Sequence, residues 1–366
     1  MHILMTANTA WNIWNFRRSV VKAMLYDGHK VTVLAPPDES VARIVAMGCR
    51  FVPLEMNVKG LNPLQDFSLM QRFKKHFRIE QPDIILSYTI KNNIFGAIAA
   101  KRLMIHFVPN VSGLGTAFLS GRVLQLITEM LYRFAFNGLK VIFFQNPDDR
   151  ELFLKRRIVV SEQTQLLPGS GIDLNYFSPV PMPDNDEIIF LMIGRLLRDK
   201  GIMEFAEAAK VIRSDYPQIR FQVLGAIDAQ NRSTVSLEQA ESWFNQDILE
   251  YLGVAEDVRP HIAAADCVVL PSYREGAPRT LIEASAMARP LITTNVPGCR
   301  AVVENGVTGF LCTARSATSL EQACKKLATL SKIERVKMGM AARKKIASEY
   351  DEAIVIAAYR ATLSTI

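Results

Sequence analysis

Short apolar runs alternate along this chain with longer stretches in which apolar side chains return every third or fourth position. "HILMTAN" is followed by "FRRSVVKAMLYDGH", then "KVTVLAP", "ESVARIVAMG" and "CRFVPLEM", and after a long helical stretch "DIILSYT", "NNIFGAIAAKRLM", "FVPNVSG", "GRVLQLITEMLYRFAFNG" and "KVIFFQN". Runs without polar alternation read as strands buried on both faces, and strand followed by helix, repeated this regularly, predicts a parallel sheet covered on both sides. Within the helices, Val20, Ala23 and Met24, and further on Leu124, Ile127, Leu131 and Phe134, fall at helical steps and are expected to face the core.

The pattern breaks at "LLPGSGIDLNYFSPVPMPDND", residues 166–186, where four prolines and two glycines crowd together. It restarts with "EIIFLMIG", the helical "IMEFAEAAKVIRSDYP" and the strand-like "IRFQVLGA", and runs on through "CVVLPSY", "PLITTN" and "TGFLCT". The expected fold is α/β, with two doubly wound Rossmann-like domains facing each other across a cleft. Residues 1–168 form the first domain, 169–186 a linker and 187–345 the second. A last helix, 346–366, has no strand after it and is expected to cross back to the first domain. Ligands of such sheets bind beyond the carboxyl ends of the strands.

Composition narrows the possibilities. At 366 residues, nearly half of them apolar, the chain suits two folded domains and not a disordered protein. The opening "MHILMTAN" is too short for a signal peptide or a membrane span, so a cytoplasmic location is expected. Five cysteines without a CxxC pair point to reduced, buried thiols. The net charge of +7 is uneven: residues 1–168 hold 21 Lys/Arg against 12 Asp/Glu, and the rest is close to neutral. That asymmetry implies an anionic partner for the first half. Arg72, Lys74, Lys75 and Arg78, interleaved with Phe73 and Phe77, suit an anionic lipid surface, and Lys155, Arg156 and Arg157 make a second basic cluster.

Several motif matches fail on context. "DND" at Asp184–Asp186 has the look of a metal–nucleotide clamp but precedes a strand, where no ligand crevice opens. "GLGTAFLSG" at Gly113–Gly121 lacks the spacing of a dinucleotide fingerprint, and "GRLLRDKG" at Gly194–Gly201 resembles a Walker loop only in composition. The five histidines show no ligand spacing, so no metal site is expected. An oxidoreductase and a nucleic-acid-binding protein are both disfavoured, for want of a G-x-G-x-x-G turn and of a recognised binding module.

The second domain carries the candidate chemistry. Arg195 and Lys200 stand in a loop between a strand and a helix, an arrangement suited to a diphosphate because a helix start adds N–H donors and partial positive charge. In "SYREGAPRTLIEASAMARP", Pro278 suits the first turn of a helix, and the turn Gly276, Ala277, Pro278 exposes the backbone N–H groups of Arg279, Thr280 and Leu281. Glu275 lies on the lip before that turn, and Glu283 lies about one and a half turns into the helix. A nucleotide sugar offers sugar hydroxyls at one end, a diphosphate in the middle and ribose hydroxyls beyond it, so two carboxylates spaced this way can grip both ends.

Together, "GRLLRDKG", "LPGSGIDLNYF" and "DVRPHIAAADCVVLPSYREGAPRTLIEASAMARPLITTNVPGCRAVVENGVTGFL" resemble retaining glycosyltransferases of family four, with the two-domain GT-B fold. The resemblance implies that Glu275 contacts the donor sugar, Glu283 the ribose, and Arg195 and Lys200 the diphosphate. It implies no metal or other cofactor for the chemistry, and no protein nucleophile, the leaving phosphate taking the acceptor's proton on the same face. In the first domain "TANTAWNIWNFR", "KGLNPLQDF" and "VPNVSGLGTAF" are similar to transferases that extend sugars on undecaprenyl diphosphate for O-antigen, capsule or related surface glycans. This implies a UDP-linked hexose or N-acetylhexosamine donor, a lipid-linked saccharide acceptor and peripheral association with the inner membrane face. Many members carry a histidine where this chain has Ser112, so that either Asn110 or Ser112 serves the position or it is not needed; Asn8, Thr9 and Ala10 are expected to approach the donor phosphates or the acceptor, and Arg17 to meet an anionic acceptor. A soluble acceptor on the same fold, or a sugar-nucleotide epimerase, is the alternative.

Overall fold

The computed structural model describes residues 1–57, 62–114, 122–184, 187–227 and 233–365. Most of the Gly113–Gly121 motif, and Asn185 and Asp186 of the acidic triplet, lie outside the described residues. The chain divides into two compact units, the first made of Met1–Ser170 with Glu352–Ile366 and the second of Gly171–Asp351.

In the first unit seven strands lie parallel: β1 (His2–Thr6), β2 (Lys30–Ala35), β3 (Arg50–Pro53), β4 (Ile84–Tyr88), β5 (His106–Val111), β6 (Ile142–Phe144) and β7 (Thr164–Leu166). Their order is β3-β2-β1-β4-β5-β6-β7, with Ile3 opposite Ile84 and Met5 opposite Leu86. Both faces are covered, which is why the strands read as unbroken apolar runs. Leu4, Leu34 and Ile85 enter one core, and Ile3, Met5, Val31, Val33 and Leu86 the other. The helix Glu352–Ser364 adds Val355, Tyr359 and Leu363 to this second core.

Two expectations about outward faces are corrected here. Phe73 and Phe77 are fully buried, packed 5.5 Å apart between ring centres, so they anchor their helix in the core and are not available to a lipid surface. In the helix Arg122–Phe136, Ile127 and Phe134 are exposed, and the core side is formed instead by Thr128, Glu129, Tyr132, Ala135 and Phe136.

The second unit holds six parallel strands: β8 (Ile188–Ile193), β9 (Ile219–Leu224), β10 (Glu250–Tyr251), β11 (Cys267–Leu270), β12 (Leu291–Thr294) and β13 (Gly309–Cys312), in the order β10-β9-β8-β11-β12-β13. Phe190 and Met192 face one core, and Ile189, Leu191 and Ile193 the other. From Gly171 onward the proline-rich stretch is part of this unit. Arg289, almost wholly buried, donates to the carbonyls of Val180 and Pro181 at 3.0 and 2.8 Å, and Arg343 donates to those of Leu174 and Phe177 at 3.0 and 2.8 Å. Two guanidiniums thus satisfy backbone oxygens of a stretch that lies outside the sheet and whose prolines have no N–H to offer. The five cysteines are all free and buried.

Candidate active site

A parallel sheet opens a crevice where successive crossovers leave in opposite directions, because the two connecting segments part there. In the second unit that point lies between β8 and β11, since the chain runs from β8 out to β9 and β10 before returning to β11 on the other side. Arg195 and Lys200 follow β8, and Glu275 and Glu283 follow β11.

The two crossovers meet. After β8 comes a single tight turn, Arg198–Lys200, then Gly201 at φ +80° ahead of the helix Ile202–Asp215. A Cβ on Gly201 would lie 2.1 Å from the Pro271 carbonyl oxygen, so a residue without a side chain is needed where the loops touch. The Asp199 carbonyl accepts from the Tyr273 N–H at 2.9 Å and the Ser272 hydroxyl at 3.1 Å. Lys200 Nζ then reaches Glu275 Oε1 at 2.5 Å, both side chains largely shielded from solvent. A third loop closes on the pair: the Glu275 N–H donates to the Pro297 carbonyl at 3.3 Å, and a Cβ on Gly298, φ +80°, would lie 2.4 Å from the Glu275 oxygen and 2.6 Å from that of Gly276. Arg195 stands exposed at the tip of β8.

Pro278 caps the helix Arg279–Ala286 with extended backbone angles instead of occupying its first turn, and the Leu281 N–H donates to the Pro278 carbonyl at 3.1 Å. Leu281 is therefore no donor to a ligand, contrary to expectation; it sits buried in the core behind Ala277. Glu283 is 7% exposed and accepts from Arg279 Nε at 2.6 Å, one turn earlier. Burial pushes the Glu283 carboxyl above its ordinary pKa, and the charge and hydrogen bond of Arg279 oppose the shift.

Sequence reasoning passed over two neighbours. Tyr273 donates to Glu204 Oε1 at 2.7 Å beneath the Arg315 guanidinium, which lies 4.7 Å from its ring centre. Burial and then the Glu204 hydrogen bond push the Tyr273 hydroxyl up to about 12. Gly298 was the other, and the signal for it is the turn dipeptide Pro297-Gly298 directly after a strand.

In the first unit the corresponding point lies between β1 and β4. Thr9 caps the helix Ala10–Tyr26, its Oγ1 accepting from the Asn12 N–H at 3.0 Å, and buried Ala10 donates its N–H to the Pro36 carbonyl at 3.0 Å. Both thus have a role in placing the helix. Asn110 is likewise committed: it donates to Tyr359 Oη at 3.2 Å and accepts from Gln145 at the same distance. Arg17 is 3% exposed, stacked 4.3 Å over the Tyr88 ring, and its Nε and Nη1 meet no acceptor. Asn8 and Ser112, just beyond β1 and β5, are half-buried. Past β4 the strained Thr89, at φ +72°, donates to Asn92, which donates to Thr6 at 2.8 Å. The polar "KNN" after an apolar strand is the sequence signal for this neglected corner.

Residues 2–146 match the family model "Glycosyl transferase 4-like", and residues 178–345 match "Glycosyl transferases group 1". Among curated proteins, the N,N'-diacetylbacillosaminyl-diphospho-undecaprenol alpha-1,3-N-acetylgalactosaminyltransferase of Campylobacter jejuni is 26% identical, over 98% of this chain and 97% of its own. The UDP-Gal:alpha-D-GlcNAc-diphosphoundecaprenol alpha-1,3-galactosyltransferase of Escherichia coli is 28% identical, over 75% of this chain and 71% of its own. Sucrose-phosphate synthase from Thermosynechococcus elongatus superposes with a TM-score of 0.81 at 20% identity, and Anabaena HepE in complex with UDP-glucose with 0.81 at 16%, each over the whole of both chains. These likenesses establish the fold as GT-B.

Proposed function

Because the chain belongs to the glycosyltransferases, joining a 4-like domain to a group 1 domain, we propose that it moves a hexose or N-acetylhexosamine from a UDP-linked donor to a saccharide carried on a polyprenyl diphosphate, with retention of configuration. The observation that carries this reading is the Lys200–Glu275 pair, held where three loops converge beyond β8, β11 and β12. The pair sets a cation beside a hydroxyl-binding carboxylate, as a sugar diphosphate requires at its reacting centre. The lipid-linked acceptor is supported by the names of the Campylobacter and Escherichia relatives, and a UDP-linked donor by the Escherichia relative and by HepE with UDP-glucose.

In this reaction the bond from the anomeric carbon to the β-phosphate oxygen breaks, and a bond to the acceptor oxygen forms on the same face. The acceptor's hydroxyl proton passes to the departing phosphate oxygen, so charge is exchanged without a protein nucleophile. Lys200 and Arg195 stabilise the growing negative charge on the diphosphate, where such fixed donors are worth several kcal/mol. Glu275 orients the donor sugar, and Glu283 shares its carboxylate between Arg279 and the ribose hydroxyls. Asn8 and Ser112 serve the acceptor side, and the unsatisfied donors of Arg17 favour an anionic group in that region. No metal takes part, and the enzyme works peripherally at the cytoplasmic membrane face in surface-glycan synthesis.

The test supplies UDP-sugars and a short-chain polyprenyl-diphosphate saccharide, with and without a chelator. Nucleoside diphosphate should appear in proportion to acceptor glycosylated, unaffected by chelation, and the new glycosidic bond should keep the anomeric configuration of the donor. Lys200→Ala, Glu275→Ala and Arg195→Ala should each lower turnover by several hundredfold, about 4 kcal/mol of transition-state stabilisation. Near-wild-type turnover in all three would remove the site. An epimerised nucleotide sugar with no acceptor consumed would replace the reaction.

A further inference from the structure

On the first unit, the helix Arg122–Phe136 carries its apolar stripe on the outside. Val123, Leu126, Ile127, Met130 and Phe134 recur at helical steps and are between 46% and 73% exposed. The side turned to the core carries Tyr132, Ala135 and Phe136, with Thr128 and Glu129 beside them at 3% and 4% exposed. An ordinary surface helix keeps polar side chains on its outer face; this helix is apolar on both sides, and its outer stripe lacks a partner among the described residues of the unit. The two buried polar groups have partners: Thr128 donates to the Leu124 carbonyl at 2.8 Å, and Glu129 accepts from Gln125 at 2.8 Å with Arg156 at 3.8 Å. Beside the stripe runs an open groove of about 950 Å³, lined among others by Met130, Phe134, Leu154, Ile158 and Val160. Val160 extends the exposed apolar surface across it.

Cations rim the same surface. Arg133 donates to the carbonyls of Arg156 and Arg157 at 2.9 and 3.2 Å, joining the helix to the exposed run Lys155–Arg157. Lys101 donates to the Phe134 carbonyl at 2.9 Å and lies 6.0 Å from the Phe134 ring centre. A contiguous apolar stripe of this size marks an interaction surface, and its positive rim selects the partner. We propose that this face docks on an anionic lipid bilayer, the apolar stripe entering the boundary between headgroups and acyl chains and the rim cations meeting lipid phosphates. A second copy of the chain is a poor occupant, because a two-fold contact would set this cationic rim against its own image. The proposal locates the membrane association read above and rests on that reading for its setting, but its test does not depend on catalysis.

Flotation is measured with vesicles of phosphatidylcholine alone and of phosphatidylcholine mixed with phosphatidylglycerol. The proteins are wild type, the triple variant Leu126→Ser/Met130→Ser/Phe134→Ser and the double variant Lys155→Gln/Arg157→Gln. Wild type should float with the mixed vesicles, and less in high salt, where the screening length falls from ~10 Å at 0.1 M to ~3 Å at 1 M. The triple variant should bind at least about tenfold more weakly, and the double variant should lose the preference for anionic vesicles. All the substituted side chains point to solvent, so thermal melting should be close to wild type, and so should the stabilisation produced by UDP. Wild type that stays with the dense fraction, or a triple variant that floats like wild type, overturns the proposal. So does a concentration-dependent dimer that sediments as a monomer once the stripe is changed, which would assign the face to a second copy. If flotation behaves as described while no UDP-sugar or UDP stabilises the protein, the UDP-linked donor fails and the docking surface stands.

Discussion

Glu283 shows how burial and function pull against each other at one residue. Burial raises the carboxyl's pKa in the folded chain above the ordinary 4.5, so between that value and the raised one the folded protein holds a proton that the unfolded chain has released. Stability contributed by this group is therefore present at low pH and is lost as the pH rises through the folded pKa. Glu283→Gln removes the titration. The melting temperature of wild type relative to this variant should rise as the pH is lowered toward about 4.5, while nucleotide binding by the variant is weakened at neutral pH; a relative melting temperature flat across that range would contradict the assignment. Lys200 and Glu275 act at the same scale but as one unit, in contact at 2.5 Å. Groups that work together lose their effect together, so the double variant Lys200→Ala/Glu275→Ala should fall within about threefold of the slower single variant in kcat. Steady-state rates of the four proteins decide it, and multiplicative losses would mean that the two groups act independently.

At the scale of elements, the second unit's site depends on how closely its loops approach. Gly298 has no room for a Cβ, which would meet two carbonyl oxygens of the Glu275–Gly276 backbone, and its φ of +80° is itself unfavourable for alanine. Gly298→Ala should push that turn away from Lys200 and lower kcat/KM by roughly thirtyfold, about 2 kcal/mol, with donor sugar hydrolysis and transfer falling together. An unchanged rate would show that the turn absorbs the shift. Loop contacts of this kind are also where the sequence was least legible. The alternation of strands and helices is local, set by the period of apolar positions, and could be followed almost to the end of the chain. The E-x7-E spacing and the basic loop after β8 were equally visible. Hidden from view was which side of an apolar stripe meets the core. Period 3.6 marks the stripe of Arg122–Phe136 but not its outward direction, and it does not separate Phe73 and Phe77 from the lysines beside them. Thr9, Ala10 and Asn110 look like exposed loop chemistry in sequence, yet each is taken up by a partner distant in the chain or by its own helix start.

At the scale of the whole chain, the first unit is completed by the helix Glu352–Ser364, which follows the entire second unit in sequence. Tyr359 is 1% exposed, packs edge-to-face 5.1 Å from Phe143 and accepts from buried Asn110. Val355 and Leu363 fill the same core, and Arg360 makes two hydrogen bonds with Asp27, each 2.7 Å. Removing the helix would uncover apolar surface on the strands and leave the Asn110 amide without an acceptor, a loss of a few kcal/mol for the polar group alone. Tyr359→Ala should cost the first unit about 3–5 kcal/mol by the cavity it opens, and Tyr359→Phe only about 1 kcal/mol for the hydrogen bond. The chain's three tryptophans make the measurement specific, since Trp11 and Trp14 lie in the first unit and Trp243 in the second. In a Trp243→Phe background, urea unfolding followed by fluorescence reports the first unit, and its midpoint should drop sharply for Tyr359→Ala and slightly for Tyr359→Phe. The unit made of Gly171–Asp351 contains none of these contacts, so Trp243 fluorescence in a Trp11→Phe/Trp14→Phe background should show an unmoved midpoint. Equal shifts in both backgrounds would mean that the two units unfold as one cooperative body, so that the C-terminal helix contributes to the stability of both.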